Sequence, residues 1–303
     1  MTASLYRLTL AALLAACSLP ALAAPGTDTP GTVFRDCDKL CPEMVVLPAG
    51  TFTMGTPADE MGRQDDEGPQ HPVTFAKPFA ISRFQVTAGE WDAYLKATGT
   101  RIEDGDDRPG RRCTASKPSY KQGPRQPAVC MSYHDVQDYV AWLSKKTGKH
   151  YRMVSEAERE YAARGGSTGM FPFPVDPNST LEISQHANVY GPRDGFSFSS
   201  PVGSYPANAF GVYDMHGNVY EWVADCYHDS YQGAPADGSA WGQASRAGDS
   251  CKVVSIRGND WGEAPVFSRS GNRNQTTPDD RGDWIGFRVV RELNAHSAAK
   301  LHG

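Results

Sequence analysis

The twelve residues from Gly211 to Trp222 (GVYDMHGNVYEW) constrain the fold more than any other stretch of the chain. No helical or strand period fits them, because turn glycines alternate with acidic and amide side chains and large aromatic rings. Asp214 and Glu221 lie seven residues apart, with Gly217 and Asn218 between them, so a tight turn can point several oxygens inward. Calcium prefers such hard oxygen ligands. The simpler alternative is a surface turn in front of a buried Trp222.

The N-terminus indicates export. An apolar run from Leu8 to Leu19 follows Arg7, and it is too short to span a bilayer. Pro20 then precedes a small-x-small cleavage site, so residues 1–23 are predicted to be a signal peptide. The competing interpretation is a lipobox ending at Cys17, which would be lipidated and act as an anchor. Both interpretations place a bacterial protein outside the cytoplasm: periplasmic or secreted in the first case, a lipoprotein in the second.

The chain that remains after removal of the leader carries a net negative charge. Removing Arg7 with the leader leaves 29 of the 30 basic residues against 35 acidic ones, a net charge of −6. No basic patch is visible, so nucleic acid is not expected as a partner. No later apolar run is long enough for a transmembrane segment. Residues 24–34 are rich in Pro, Gly and Thr and predict a flexible lead-in, whereas residues 294–303 predict a disordered tail.

Cysteine usage fits an exported, disulfide-bonded protein. With Cys17 assigned to the leader, an even number of cysteines remains. Sequence alone does not fix the connectivity. The simplest, nearest-neighbour pairing joins Cys37 to Cys41, Cys113 to Cys130 and Cys226 to Cys251, and each bridge closes a polar loop. For Cys37 and Cys41 a redox or metal pair is the alternative, although no histidine lies nearby.

Regular secondary structure is predicted to be sparse. Three helices are predicted, from Thr87 to Gly99, from Ser132 to Gly148 and from Ser155 to Gly165, each with a polar cap at its start and a glycine at its end. Strand candidates are Val45–Leu47, Thr51–Met54, Val73–Phe75, Phe79–Ser82, Val253–Arg257 and Phe287–Val290. Long irregular stretches separate them, so disulfides or bound ions would have to hold the loops in place.

Four segments, in the same order, resemble the formylglycine-generating enzyme family, also called the sulfatase-modifying-factor family. They are residues 44–55 (MVVLPAGTFTMG), 151–166, 211–222, and 273–279 with 285–288. The resemblance extends over nearly the whole mature chain. It implies one α+β domain, residues 35–293, with low regular secondary structure, related to C-type-lectin-like folds and stabilised by disulfides and calcium.

The resemblance also implies two structural calcium sites. The ligands of the first would be Asn188, the Val189 carbonyl, Asp194 and the Phe196 carbonyl. The ligands of the second would be Asp214, the Gly217 carbonyl, the Val219 carbonyl and Glu221. Without the resemblance, the sequence of residues 188–196 is typical of a loop with an Asx turn.

The expected catalytic centre departs from the family pattern. Formylglycine-generating enzymes bind copper(I) through two cysteines just before an Arg-x-x-x-Thr-Pro-Asp segment, which here begins at Arg273. Counting back without gaps places Asp260 and Pro265 at the two cysteine positions, and the stretch from Arg257 to Phe267 contains no sulfur. Carboxylate and proline cannot replace two thiolates as ligands of a soft ion. Neither copper nor oxidation of cysteine to formylglycine is therefore expected, and the catalytic residues stay unassigned.

Charged and aromatic residues remain at that location and predict a candidate ligand cleft. They are Asp260, Trp261, Glu263, Arg269, Arg273 and Trp284. The two arginines could clamp an anion or carboxylate, and the tryptophans could stack on a ring or sugar. The alternative is a salt-bridged loop cluster that binds nothing.

These features predict an exported family member that binds an unidentified peptide or small molecule as a binding or accessory (maturation) protein. Two other hypotheses stay open. One is a periplasmic oxidoreductase of different chemistry, resembling the pyoverdine-maturation protein. The other is a genuine formylglycine-generating oxidase.

Overall fold

Thirteen short strands and four helices form the regular structure of the described residues. The computed structural model describes residues 28–38, 40–108, 111–176, 178–191, 194–244 and 251–293. The strands are β1 (Val33–Phe34), β2 (Met44–Leu47), β3 (Gly50–Met54), β4 (His71–Phe75), β5 (Phe79–Ser82), β6 (Cys113–Thr114), β7 (Lys117–Pro118), β8 (Tyr151–Met153), β9 (Tyr220–Cys226), β10 (Val254–Arg257), β11 (Asn274–Thr276), β12 (Ile285–Phe287) and β13 (Val289–Arg291). The helices are α1 (Ala88–Thr98), α2 (Tyr133–Thr147), α3 (Glu156–Arg164) and α4 (Thr180–Ser184).

Two small sheets carry the core. The first has the antiparallel order β1-β2-β5-β13-β8, and the second has the order β11-β10-β9-β12, in which β12 runs parallel to β9. Two hairpins, β3–β4 and β6–β7, complete the strands. The mixed α+β class with few helices confirms the prediction.

The chain passes from one sheet to the other between β12 and β13. The sequence predicted a single strand, Phe287–Val290, but the structure divides it at Arg288, whose side chain is buried. Phe287 pairs with Trp222 in the second sheet, whereas Val289 pairs with Met153 in the first. A buried arginine therefore lies at the junction of the two sheets.

The three predicted helices are present, and their caps explain their bounds. The side chains of Thr87, Ser132 and Ser155 accept backbone N–H groups at the starts of α1, α2 and α3. Each helix ends at a glycine in the left-handed conformation. Capping chemistry is local, which is why sequence alone located these elements. The short helix α4 was not predicted.

Strand β9 is the main difference from the prediction. The conclusion that no strand period fits Gly211–Trp222 is wrong for its last three residues, which begin β9. All seven residues of β9 are buried. A strand that is buried on both faces shows no polar alternation, so the periodicity argument could not detect it.

The chain ends and the cysteines can be compared with the predictions only in part. Val33 and Phe34 pair with Val45 and Met44, so the end of the predicted lead-in lies in a sheet. The predicted signal peptide, Cys17 and the tail 294–303 lie outside the described residues. Within the described ranges, no helix has both the length and the apolar character needed to span a membrane. Disulfides join Cys37 to Cys41, Cys113 to Cys130 and Cys226 to Cys251.

Five arginines are among the largest fully buried side chains, and they form a charge network around α3. They are Arg159, Arg257, Arg269, Arg273 and Arg288. Each guanidinium forms an ion pair with a buried glutamate. Their partners are Glu67, Glu156, Glu160 and Glu221. Removing one partner would leave a buried charge without compensation, so this network makes the loops and α3 depend on each other.

Candidate functional site

Asp260 lies just beyond the end of β10. Gly258 and Asn259 both have positive φ and turn the chain after Arg257. The backbone N–H of Trp261 then donates to the Asn218 carbonyl at 3.1 Å, which fixes this turn against the Gly211–Trp222 segment. The Asp260 carboxylate is buried and accepts the backbone N–H of Gly262 at 2.8 Å. The position that would hold the first copper cysteine thus presents a buried carboxyl group.

A second buried carboxyl group and one guanidinium lie beside Asp260. Arg111 Nε donates to Asp283 Oδ1 at 3.0 Å, and Arg111 Nη2 is 3.6 Å from Asp260 Oδ2. The guanidinium carbon of Arg111 lies 4.7 Å from the centre of the Trp261 ring. One arginine therefore links two carboxyl groups and an indole that are far apart in sequence.

The Cys113–Cys130 disulfide positions this group. Cys113 follows Arg111 closely in sequence, and its backbone N–H donates to the Asp106 carbonyl at 2.8 Å. The backbone N–H of Cys130 donates to the Gly282 carbonyl at 2.9 Å, next to Asp283. The disulfide packs in a small apolar cluster against Trp261. It therefore holds the segments of Arg111 and Asp283 together beneath the site.

Three aromatic rings form one wall. Tyr120 stacks on Phe198 with ring centres 4.5 Å apart and planes inclined by 11°. The Phe198 ring meets Trp261 edge-on at 5.1 Å. Phe198 is 37% exposed, so the wall opens to solvent. We call the group Arg111, Tyr120, Phe198, Asp260, Trp261 and Asp283 the Asp260 cleft.

The electrostatics of the Asp260 cleft keep a proton available near neutral pH. Burial raises the pKa of Asp260 to about 7, because the Gly262 N–H and Arg111 only partly offset it while Glu263 and Asp283 add negative charge. Burial also raises the pKa of Asp283, against the opposing contact with Arg111. Two carboxyl groups share one guanidinium here, and such an arrangement favours a neutral form of one of them.

Tyr220, Trp284 and Glu263 border this region. The Tyr220 ring meets Trp284 edge-on at 5.8 Å, and its hydroxyl accepts from Asn274 Nδ2 at 3.2 Å. Burial raises the pKa of the Tyr220 hydroxyl, and the charges of Asp260 and Glu263 contribute to the shift. The structure thus brings together four residues of the predicted cleft, namely Asp260, Trp261, Glu263 and Trp284.

Arg269 and Arg273 require a correction. Arg269 contacts Glu67 at 2.6 Å and Glu60 at 3.0 Å. Arg273 contacts Glu156 at 2.6 Å, and its guanidinium lies 4.3 Å from the centre of the Tyr231 ring. Both side chains are buried in the charge network, so they are not the ligand clamp that the sequence suggested. Pro265, at the second copper-cysteine position, begins a short 3₁₀ turn.

The sequence did not identify four members of the Asp260 cleft. Arg111, Tyr120 and Phe198 come from irregular segments that carry no recognisable motif. The one available signal was the predicted pairing of Cys113 with Cys130, which places Arg111 near the segment around residue 130. Asp283 precedes Trp284 directly and could have been added to the predicted cleft on proximity alone.

The first predicted calcium loop leaves one buried oxygen without a partner. Asp194 accepts the backbone N–H groups of Val189 at 3.0 Å and Phe196 at 2.9 Å. Asn188 Oδ1 is buried and has no hydrogen-bond partner among the described residues. A buried amide oxygen that accepts no hydrogen bond is suited to bind a cation.

The second predicted calcium loop is joined to the charge network. Glu221 accepts from Arg159 Nε at 2.7 Å, from Arg288 Nε at 2.9 Å and from Gln85 Nε2 at 3.0 Å. Asp214 Oδ1 is buried without a partner among the described residues. One ligand oxygen is therefore free to bind a cation, while the charge of Glu221 is already compensated. No cluster of three or more His, Cys, Asp or Glu side chains suited to a metal occurs in the described part of the chain.

Comparison with known proteins gives the family. A model described as the sulfatase-modifying factor enzyme 1-like domain matches residues 29–293, so the chain belongs to this family. The inactive C-alpha-formylglycine-generating enzyme 2 of Bos taurus is 32% identical over 290 residues, covering 82% of this chain and 87% of its own length. The formylglycine-generating enzyme of Streptomyces coelicolor is 28% identical over 300 residues, covering 84% of this chain and 92% of its own.

A solved structure agrees much more closely. PvdO from Pseudomonas aeruginosa shares 72% sequence identity with this chain and superposes with a TM-score of 0.83. The match covers 88% of this chain and 99% of the PvdO chain. The family prediction from four sequence segments is confirmed.

Proposed function

We propose that this protein is an accessory or maturation protein of the family that binds a small molecule or peptide in the Asp260 cleft without copper chemistry. The observation that carries the proposal is the replacement of the copper thiolates by a buried carboxyl group. All six cysteines in the described residues are in disulfides, so they offer no thiolate pair for copper(I). The relative named as inactive and the high identity with PvdO support this proposal.

An oxidoreductase of different chemistry is the second candidate. Asp260 has a pKa near neutral and lies beside an aromatic wall, so it can accept a proton from a bound ring or its substituent. The identity with PvdO is compatible with this candidate as well. Metal analysis of the purified protein separates the two candidates, since a stoichiometric transition metal would support the oxidoreductase.

The cellular location and the wider fold relationship are also part of the proposal. Residues 1–23 act as a signal peptide that sends the protein to the periplasm or the medium, with lipidation of Cys17 as the alternative. The fold is related to C-type-lectin-like domains. Mass spectrometry of the mature N-terminus distinguishes cleavage after Ala23 from a lipid on Cys17.

Calcium is proposed as a structural ion in both loops. Asn188 and Asp194 with the carbonyls of Val189 and Phe196 would hold the first ion; Asp214 and Glu221 with the carbonyls of Gly217 and Val219 would hold the second. The buried, unpartnered oxygens of Asn188 and Asp214 support this assignment. At the second loop the support comes from Asp214, because Glu221 already accepts from Arg159 and Arg288 and the Val219 carbonyl accepts from Gln85.

Removal of calcium is expected to destabilise the protein. A site saturated a hundredfold above its Kd stabilises the folded state by about 2.7 kcal/mol, so adding excess EDTA should lower Tm by several degrees. Differential scanning calorimetry with EDTA, followed by added calcium or magnesium, measures the effect. Recovery with calcium alone is the expected result. An unchanged Tm after chelation would contradict the assignment.

Copper(I) titration tests the proposal most simply. Competition with a chromophoric copper(I) chelator under anaerobic, reducing conditions should show no stoichiometric tight binding to the folded protein. A double variant, Asp260→Cys with Pro265→Cys, is the matched control, because it restores two thiols at the same positions. Tight binding of one copper(I) ion to the unaltered protein would contradict the proposal.

A further inference from the structure

Two buried polar atoms of the Asp260 cleft lack hydrogen-bond partners among the described residues. They are Asp283 Oδ2, which is an acceptor, and Trp261 Nε1, which is a donor. The Asp283 side chain has no exposed surface. A buried polar group without a partner costs free energy, so native structures normally satisfy such groups with protein, water or ligand. An unpaired donor and an unpaired acceptor in one cluster therefore call for partners that the described residues do not supply, either water or a ligand.

Both atoms belong to side chains that flank Arg111. Asp283 uses its other oxygen, Oδ1, to accept from Arg111 Nε at 3.0 Å. The Trp261 ring lies beneath the same guanidinium, with 4.7 Å between the ring centre and the guanidinium carbon. Arg111 thus fixes the carboxylate and the indole relative to each other. A partner for the two free atoms would have to present an N–H or O–H to Asp283 and an acceptor to Trp261.

The aromatic wall limits the shape of that partner. Tyr120 and Phe198 stack nearly parallel, and Phe198 is partly exposed and meets Trp261 edge-on. A flat ring can extend this stack from the solvent side. Tyr190, which is 66% exposed, donates its backbone N–H to the Glu263 carbonyl and adds a further aromatic side chain near the rim.

The charge of the Asp260 cleft argues against an anionic partner. Asp260 and Asp283 provide two carboxyl groups, and within the described ranges Arg111 is the one arginine that forms ion pairs with both. That guanidinium already donates to Asp283, so an anion would meet a guanidinium that is already paired and at least one ionised carboxylate. Like charges at close range oppose binding strongly. A neutral polar group suits the site better than a carboxylate or phosphate.

We propose that the Asp260 cleft recognises a planar ring bearing a neutral group with a hydrogen-bond donor and acceptor side by side, such as a carboxamide or lactam. The donor contacts Asp283 Oδ2, the acceptor contacts the Trp261 indole N–H, and the ring stacks on the outer face of Phe198. Both polar atoms are buried, so side chains of the cleft move aside when the ligand enters. This assignment rests on the proposed ligand-binding function and names the ligand class for it. It also replaces the anion clamp suggested by the sequence.

Benzamide and benzoate are a matched pair of probes, because they share the ring and differ in the polar group. NMR titration of the full mature protein should give a Kd for benzamide that is at least about tenfold lower than that for benzoate. The variant Trp261→Phe keeps a ring but removes the N–H, and it should weaken benzamide binding about three- to tenfold. Trp241→Phe is the control and should leave binding unchanged, because Trp241 stacks on His228 in a separate groove.

Three outcomes would overturn the assignment. Equal or tighter binding of benzoate would mean that Arg111 makes an anion site. Unchanged benzamide binding in Trp261→Phe would mean that the indole N–H takes no part. An absence of benzamide binding up to its solubility limit would mean that water fills the two positions. None of these results alters the copper titration, so they can be told apart from a failure of the proposed function.

Discussion

Replacing Glu156 with glutamine is expected to lower the free energy of unfolding by about 3–5 kcal/mol. Glu156 is buried and contacts Arg273 at 2.6 Å and Arg257 at 3.3 Å. Burial alone would raise the pKa of Glu156, but Arg273 and Arg257 hold it below its ordinary value. The variant would keep the shape of the side chain but remove the charge that compensates these arginines. Within the part of the chain that the structure describes, Arg273 forms no ion pair with a second acid, so its charge would remain buried and unpaired.

Urea unfolding followed by circular dichroism measures this effect. The matched control is Asp92→Asn, the same acid-to-amide change in the exposed pair that Asp92 forms with Lys117 at 2.6 Å. Exposed pairs contribute about 0–1 kcal/mol, so this control should unfold nearly as the unaltered protein does. Equal effects of the two substitutions would show that the buried arginines relax to water or to other partners, and that the network does not hold α3 in place.

Replacing Asp260 with asparagine is expected to stabilise the protein above neutral pH. Asp260 has an ordinary pKa of 3.8 and a pKa of about 7 in the folded protein. The folded state therefore binds more protons than the unfolded state between these values, and stability from this group falls as pH rises through 7. Above pH 7 the folded protein carries the full cost of a buried charge, on the order of 2–4 kcal/mol. Asparagine removes that cost and keeps an oxygen for the Gly262 N–H.

The stabilisation of the variant relative to the unaltered protein should be largest at about pH 8.5 and clearly smaller at about pH 5, since the cost accumulates between the two pKa values. Trp261 adjoins Asp260, so its fluorescence should report the titration near pH 7 and lose that transition in Asp260→Asn. The Asp92→Asn protein serves again as the control, since Asp92 lies in an exposed pair. A stabilisation that is the same at both pH values would contradict the pKa assigned to Asp260.

Local chemistry explains what the sequence could predict about the fold. The three main helices were predicted correctly because Thr87, Ser132 and Ser155 are typical N-cap residues and a glycine follows the last turn of each helix. Strands such as β2 and β5 were located because short runs of apolar residues are bounded by turn residues. The four sequence segments that occur in the same order as in the family then indicated the fold class. Hydrophobic periodicity alone could not indicate it.

The parts that the sequence missed depend on contacts between distant segments. Strand β9 has no alternation because both of its faces are buried. Arg111 reaches Asp260 and Asp283 because a disulfide and backbone hydrogen bonds hold its loop against the segment before β12. Nothing near residue 111 in the sequence indicates this approach.

The predicted ligand clamp of Arg269 and Arg273 was wrong for a different reason. Arg269 and Arg273 resemble a ligand clamp in the sequence because charged residues in loops usually face solvent. In the structure both are buried, and glutamates from other segments, Glu67 and Glu156, neutralise them. Their partners lie more than a hundred residues away in the chain, so the sequence around them could not distinguish a binding role from a structural one.

The central claim is that this chain uses the family scaffold without the family's copper chemistry. The most direct measurement is incubation of the folded protein with copper(I), oxygen, a reducing thiol and a peptide containing Cys-x-Pro-x-Arg, followed by mass spectrometry of the peptide. A formylglycine-generating enzyme assayed in parallel shows that the conditions support the reaction. We expect the cysteine of the peptide to remain unconverted. Turnover of the peptide to formylglycine by the unaltered protein would contradict the claim.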